Sequence, residues 1–179
     1  MSTNPTKVVT QPGIRFSYAN VFVPSSMEEG GKEKYSVTLL IPKSDTKTIA
    51  AINAAVEQAK QDGKSSRFNG KIPANLKLPL RDGDEERPDD PSYVGHYFLN
   101  ANSVNKPGVV DANVQPIMNA DDFYSGCYGR ASVTFYAYNV KSMGIACGLQ
   151  NVQKLADGER LAGGSSAEDD FGSSADDLM

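Results

Sequence analysis

Histidine and cysteine are nearly absent from this chain: His96 is the only histidine among 179 residues, and Cys127 and Cys147 are the only cysteines. No short metal-ligand spacing links the two cysteines, so a Cys/His zinc site lacks its ligands, and a reduced, cytosolic pair is expected. A histidine-based triad would depend wholly on His96. The GxxxxGK phosphate loop, the GxSxG elbow and HExxH are all missing. Catalysis therefore has few candidate residues, and no enzyme, cofactor or bound metal is expected. Long apolar runs are also lacking: none approaches the roughly 18 residues of a membrane span, and MSTNPTKVVTQPG carries no apolar stretch of the signal type. Neither export nor membrane anchoring is expected.

What is present is a globular composition, 39% hydrophobic and 22% charged, in a length that suits one domain with a real core. Its charge is unevenly placed. Residues 163–179, GGSSAEDDFGSSADDLM, hold five of the 22 acidic residues and none of the 18 basic ones. The body is left with 17 acidic against 18 basic residues, so the net charge of −4 divides into about +1 for the body and −5 for the tail. The acidic pI of about 5.0 belongs to the tail and does not exclude a polyanionic ligand for the body.

The first dozen residues, with Pro5 and Pro12, read as a flexible arm. From Gly13 the pattern is β-like: Ile14, Phe16 and Tyr18 alternate with Arg15, Ser17 and Ala19, and Val21-Phe22-Val23 runs up to Pro24. A polar turn from Ser25 to Lys34 leads to a second strand, where Tyr35, Val37, Leu39 and Ile41 share a face. Residues 44–62 predict the one main helix, with Ile49, Ile52, Val56 and Ala59 at helical spacing. Ser44 or Asp45 would cap its start, and Gly63 reads as its stop. The stretch from Lys64 to Ser92, punctuated by Pro73, Pro79, Pro88 and Pro91, reads as a long loop, of the kind that is usually functional or mobile. Three further strands are expected at Tyr93 to Ala101, Arg130 to Val140 and Gly144 to Val152. Five strands and one helix predict a mostly β domain over residues 13–162, between an arm (1–12) and a disordered acidic tail (163–179).

The segment RASVTFYAY sends Ala131, Val133, Phe135 and Ala137 to a core and Arg130, Ser132, Thr134, Tyr136 and Tyr138 to a surface. Rings displayed beside a cation suit single-stranded nucleic acid, because every base has a π-face to stack on and every linkage a phosphate to neutralise. The same tyrosines would equally serve cross-strand packing. An outward set at His96, Phe98 and Asn100 would make Phe98 a second platform, whereas the reverse parity buries Phe98 and turns Tyr97 out. The loop carries Lys64, Arg67, Lys71, Lys77, Arg81 and Arg87, with Phe68 among them. Because Asp82, Asp84, Glu85 and Glu86 follow Arg81, only Lys64 to Arg81 makes a phosphate track. The acidic run DGDEERPDD does not fit a calcium loop, since counting from Asp82 puts Arg87 where glycine is required. A solvated acidic turn accounts for it, with a metal-dependent nuclease a more remote reading. In the tail, Glu168, Asp169, Asp170 and Phe171, then Asp176 and Asp177, are placed to dock a partner's basic-rimmed pocket or to lie over a basic groove; a merely solubilising end is the alternative.

Four stretches in collinear order resemble a known family: GIRFSYANVFVP, LKLPLRDGDE, YSGCYGRASVTFYAYN and GIACGLQNVQKLADGERLAG. They are similar to phage single-stranded DNA-binding proteins with an OB-fold, long catalogued as a domain of unknown function. The resemblance implies a five-stranded OB barrel that binds single-stranded DNA during phage DNA replication, recombination and repair. It also implies an acidic C-terminus that contacts phage or host replication and recombination proteins, in the cytoplasm of an infected bacterium. One departure is visible: related tails end in acidic residues plus an aromatic, whereas here Met179 is last and Phe171 lies eight positions earlier. The resemblance assigns no residue a role, so the candidate contacts rest on alternation. Tyr136, Tyr138 and Phe98 would stack bases, with Phe68 beside the basic track, and Arg15, Lys77, Arg81 and Arg130 would meet phosphates. A module that acts on a replication protein through its tail is the other class left open, and self-association is compatible with either.

Overall fold

In the computed structural model, which describes residues 6–25, 32–140 and 142–161, the five expected strands are present and three short ones join them. In chain order the elements are β1 (Lys7–Val9), β2 (Ile14–Ser25), β3 (Lys34–Pro42), α1 (Thr46–Ser66), β4 (Leu80–Asp82), α2 (Gly83–Glu86), β5 (His96–Ser103), β6 (Gly108–Val110), a 3-10 turn (Ala120–Asp122), β7 (Tyr128–Val140) and β8 (Ser142–Ala156). β2 pairs antiparallel with β3, β3 with β5 and β7 with β8, while β2 also meets β7 at Ile14 and Arg15. A parallel contact of β5 with β8, Asn102 opposite Gly148, closes the ring. Five strands therefore form a closed Greek-key barrel, the OB arrangement implied by the resemblance. Where β5 and β8 diverge, the chain from Lys77 to Asp82 fills the gap. The Lys77 N–H donates to Met143 O and Lys77 O accepts from Ile145 N, while β4 pairs with β5.

Alternation decides what lies inside. Ile14 and Phe16 from β2, Val37, Leu39 and Ile41 from β3, Leu99 from β5, Val133 and Phe135 from β7, and Ile145 and Leu149 from β8 form one buried cluster. Ile52, Ala55, Val56 and Ala59 of α1 belong to the same cluster, so the helix plugs an end of the barrel with its apolar stripe. Asp45 caps it, its carboxylate accepting from Thr48 N at 3.1 Å.

Several local expectations change. Residues 7–9, expected in the arm, pair with β7 opposite Ser132 to Thr134. The helix does not stop at Gly63 but continues to Ser66, because Gly63 is a packing glycine: a Cβ there would collide with Ala137 Cβ. Tyr18, expected on the face of Ile14 and Phe16, is exposed, because the β2/β3 register shifts between Ser17 and Asn20. The expected tail, 163–179, lies outside the described residues.

Candidate nucleic-acid interface

The outer face of the barrel carries one cross-strand row assembled from strands β7, β2, β3, β5 and β4. Tyr128 of β7 stands opposite Arg15 of β2, Arg15 opposite Leu40 of β3, Leu40 opposite Phe98 of β5, and Phe98 opposite Arg81 of β4. Two guanidinium groups thus frame an apolar centre. Arg15 lies 5.3 Å from the centroid of the Tyr128 ring and Arg81 lies 5.8 Å from that of Phe98. Beside this row runs a polar one, Ser17, Thr38 and Asn100, in which Thr38 Oγ1 donates to Asn100 Oδ1 at 2.7 Å. Arg15 is held in place by donating from Nε to Gly126 O (3.2 Å) and from Nη2 to Glu159 O (2.6 Å). With five N–H donors on the group, others remain for an anion. Arg81 pairs with Glu86 across exposed surface. Such a pair is worth about 0–1 kcal/mol, so a phosphate can displace it.

Two further arginines reach this face from loops. Arg87 stacks over Tyr93 at 5.1 Å and donates to Tyr18 Oη at 3.5 Å, and that hydrogen bond raises its already high pKa. Arg160 lies over Tyr124 at 4.3 Å and donates to Asp121 O at 3.3 Å. The return of the chain brings it there: Leu161 N bonds Ser125 O at 2.9 Å and the Leu161 side chain packs on Leu40, Tyr93 and Phe98. The last described residue therefore sits on this face.

Tyr136, Tyr138 and Lys77 form a separate patch. Eight residues of strand separate Tyr136 from Tyr128, about 26 Å at the usual rise per residue. Tyr136 is exposed with its ring against Gly148, and the Tyr138 hydroxyl covers Gly144, which is bridged to Lys77. Gly148 and Gly144 on β8 leave room for the Tyr136 and Tyr138 rings beside them. The four residues from Lys77 to Arg81 span at most about 14 Å, so this patch adjoins the row. Arg130 stands two residues beyond Tyr128, its Nε donating to Gln153 Oε1 at 2.6 Å, while Gln153 Nε2 donates to Asp111 O at 3.1 Å. It stitches the sheet to the loop after β6.

Two expected contacts are corrected. Phe68 is 3% exposed and joins the main core beneath Gly63, so it offers no face to a base. Phe98 is on the outer side of β5, as one parity predicts, but it is 4% exposed. Tyr93 meets its ring edge-on at 5.1 Å and Arg81 covers it, so it supports the site from beneath. Tyr18, Arg87 and Arg160 were not among the expected contacts. Arg87 was visible as a loop cation, whereas nothing in the alternation marks Tyr18 or Arg160. Asp82 and Asp84 of the acidic run both bond Lys43 Nζ at 2.8 Å, which holds their carboxyls below the usual range. Those carboxylates brace the turn after β4. Glu168, Asp169, Asp170, Phe171, Asp176 and Asp177 lie outside the described residues.

Comparison with known proteins identifies relatives of the chain and of its fold. Residues 6–179 match the family model of the Enterobacter phage Enc34 ssDNA-binding protein. Putative protein p50 of Acyrthosiphon pisum secondary endosymbiont phage 1 is 32% identical over 160 residues, 86% of each chain. The single-stranded DNA-binding protein of bacteriophage Enc34, solved in complex with ssDNA, superposes with a TM-score of 0.78 at 26% identity. That match covers 88% of this chain and 90% of that one. The single-stranded DNA binding protein gp2.5 of bacteriophage T7 shares the fold, with a TM-score of 0.61 at 17% identity over 97% of this chain and 94% of its own. The family model matches residues 6–179, and the chain belongs to the family of the Enterobacter phage Enc34 ssDNA-binding protein.

Proposed function

We propose that this protein binds single-stranded DNA on the outer face of its barrel, largely without sequence preference, and so protects and organises it during phage DNA replication, recombination and repair. It acts as a binding protein rather than an enzyme, in the cytoplasm of the infected bacterium. One observation carries the reading. In a member of a family named for ssDNA binding, Arg15 and Arg81 frame an apolar centre on β3 and β5. These are the second and third strands of the barrel, the face on which OB-folds take oligonucleotides. The solved Enc34 relative in complex with ssDNA supports the same ligand.

The described chain ends at Leu161 on this same face, and in sequence the acidic tail begins two residues later. The tail is read as a competitor for the cationic face and as the contact for phage or host replication and recombination proteins.

Fluorescence anisotropy with single-stranded, duplex and RNA oligomers across a salt series tests the reading. Single strands are expected to bind best. Replacing Arg15 and Arg81 together by Gln should flatten the slope of log K against log salt by about 1.4, since each neutralised single-strand phosphate counts about 0.7. No retardation of any single-stranded oligomer at low salt, with a replication protein captured through the tail, would favour an interaction module instead.

A further inference from the structure

The row uses the regular part of β2, but the strand breaks its own alternation directly beside it. Ser17 pairs with Thr38 and Asn20 with Ser36, so Tyr18 and Ala19 together oppose Val37 alone. This is a bulge, and bulges re-aim side chains. Tyr18 takes φ +47°, a left-handed conformation unusual for a bulky residue. The bulge is pinned on both sides: Ser125 Oγ accepts from Ala19 N at 3.0 Å, and Asn20 Nδ2 donates to Tyr18 O at 3.3 Å. A strained residue that its surroundings hold in place is where function is to be sought. Here the result is an aromatic ring, 44% exposed, turned out of the barrel that its neighbours Ile14 and Phe16 fill.

The ring borders a cleft of about 340 Å³ lined by Arg15, Tyr18, Asp90, Ser92, Arg160 and Leu161, among others. That volume is at the small end of ligand sites and suits one nucleotide rather than a duplex. Arg15 and Arg160 line it, and Arg87 holds the Tyr18 hydroxyl. Asp90, fixed by accepting from Ser92 N and Oγ through one oxygen, puts a negative charge on the 90–92 wall. Glu159 lines the cleft as well, so a phosphate is drawn to the Arg15 and Arg160 guanidiniums and not to the acidic parts of the wall.

We propose that this cleft is a subsite for one unstacked nucleotide of single-stranded DNA, with its base on the Tyr18 ring and its phosphates on Arg15, Arg87 and Arg160. The subsite deepens the proposed function and rests on it. It also makes Tyr18 a determinant of strand selectivity, because a base in a duplex has both faces stacked and cannot enter. Stacking on a ring is sequence-tolerant, which suits a protein that must coat any sequence.

The chain has no tryptophan, so Tyr18→Trp introduces a single reporter. Its emission is expected to quench with single-stranded oligomer along the same curve as the anisotropy, and to stay unchanged with duplex. Tyr18→Ala should weaken single-strand binding by about 5- to 150-fold, the range for loss of one stacked base. Tyr18→Phe should bind within a few-fold of wild type. Tyr18→Gly, which fits the left-handed backbone, should lose binding as Ala does while melting no lower than wild type, an outcome that a purely structural role would not produce. Unchanged emission from the Tyr18→Trp variant while the anisotropy of the same sample saturates, or wild-type affinity for the Ala and Gly variants, would overturn the subsite and leave the proposed function standing. Failure of the wild type to bind any single strand would instead remove the function itself.

Discussion

Phe98 and Tyr136 look alike in the alternation and differ in what surrounds them. Phe98 has Tyr93 edge-on, Leu40 and Leu161 beside it and Arg81 over it. Tyr136 has a neighbouring glycine and open solvent. Removing a buried phenyl ring costs about 3–5 kcal/mol in a main core, and a satellite cluster of this size belongs at the low end. Phe98→Ala is therefore expected to lower the urea midpoint by an amount equivalent to about 3 kcal/mol. Tyr136→Ala should leave unfolding within about 0.5 kcal/mol and, where a base stacks on it, weaken single-strand binding by about 1–3 kcal/mol. Paired urea melts and salt-matched titrations check both. A Tyr136→Ala variant that binds as wild type would confine the hairpin tyrosines to sheet packing. Both cysteines are buried, and burial pushes their thiols up, which disfavours the thiolate.

At the scale of elements, the helix and its packing on β7 show what periodicity conveys and what it leaves out. The 3.6-residue stripe was legible because Ile52, Val56 and Ala59 bury one face. Gly63 reads as a terminator in one dimension, yet in three it is the point where α1 comes within backbone reach of Ala137. Gly63→Ala is expected to destabilise by about 1–3 kcal/mol through overpacking, although alanine is the better helix former. Adding Ala137→Gly should recover part of the loss in a double-mutant cycle. Strictly additive effects would show that the two residues do not share the contact. The loop of residues 67–79 carries no periodicity, and only its end, at Lys77, enters the split between β5 and β8. Its partners, Met143 and Ile145, are more than 60 residues away and leave no local trace.

At the scale of the whole molecule, charge and chain path meet. The body is close to neutral but gathers Arg15, Arg81, Arg87 and Arg160 on one face, and the chain passes Leu161 on that face before the five acidic residues of the tail. Deleting residues 163–179 is expected to raise single-strand affinity most at low salt, where screening over about 30 Å is weakest, and little near physiological ionic strength. Equal affinities of full-length and truncated protein at low salt would leave the tail to partner docking alone. No helix among the described residues is long and apolar enough to cross a membrane.

The sequence by itself determined the quantities that are local or summed along the chain: five alternating strands, one amphipathic helix, the charge division at residue 163 and the collinear family match. Each depends on residue type and short-range period, which the backbone geometry of strands and helices converts directly into faces. Only the tertiary structure decided the depth of burial of Phe68 and Phe98, the bulge that turns Tyr18 outward, and the meeting of Arg15, Arg81, Arg87 and Arg160 on one face. Those outcomes depend on which distant strand or loop covers a residue. Arg15 and Arg81 become neighbours in a row only because β2, β3, β5 and β4 pair in that order.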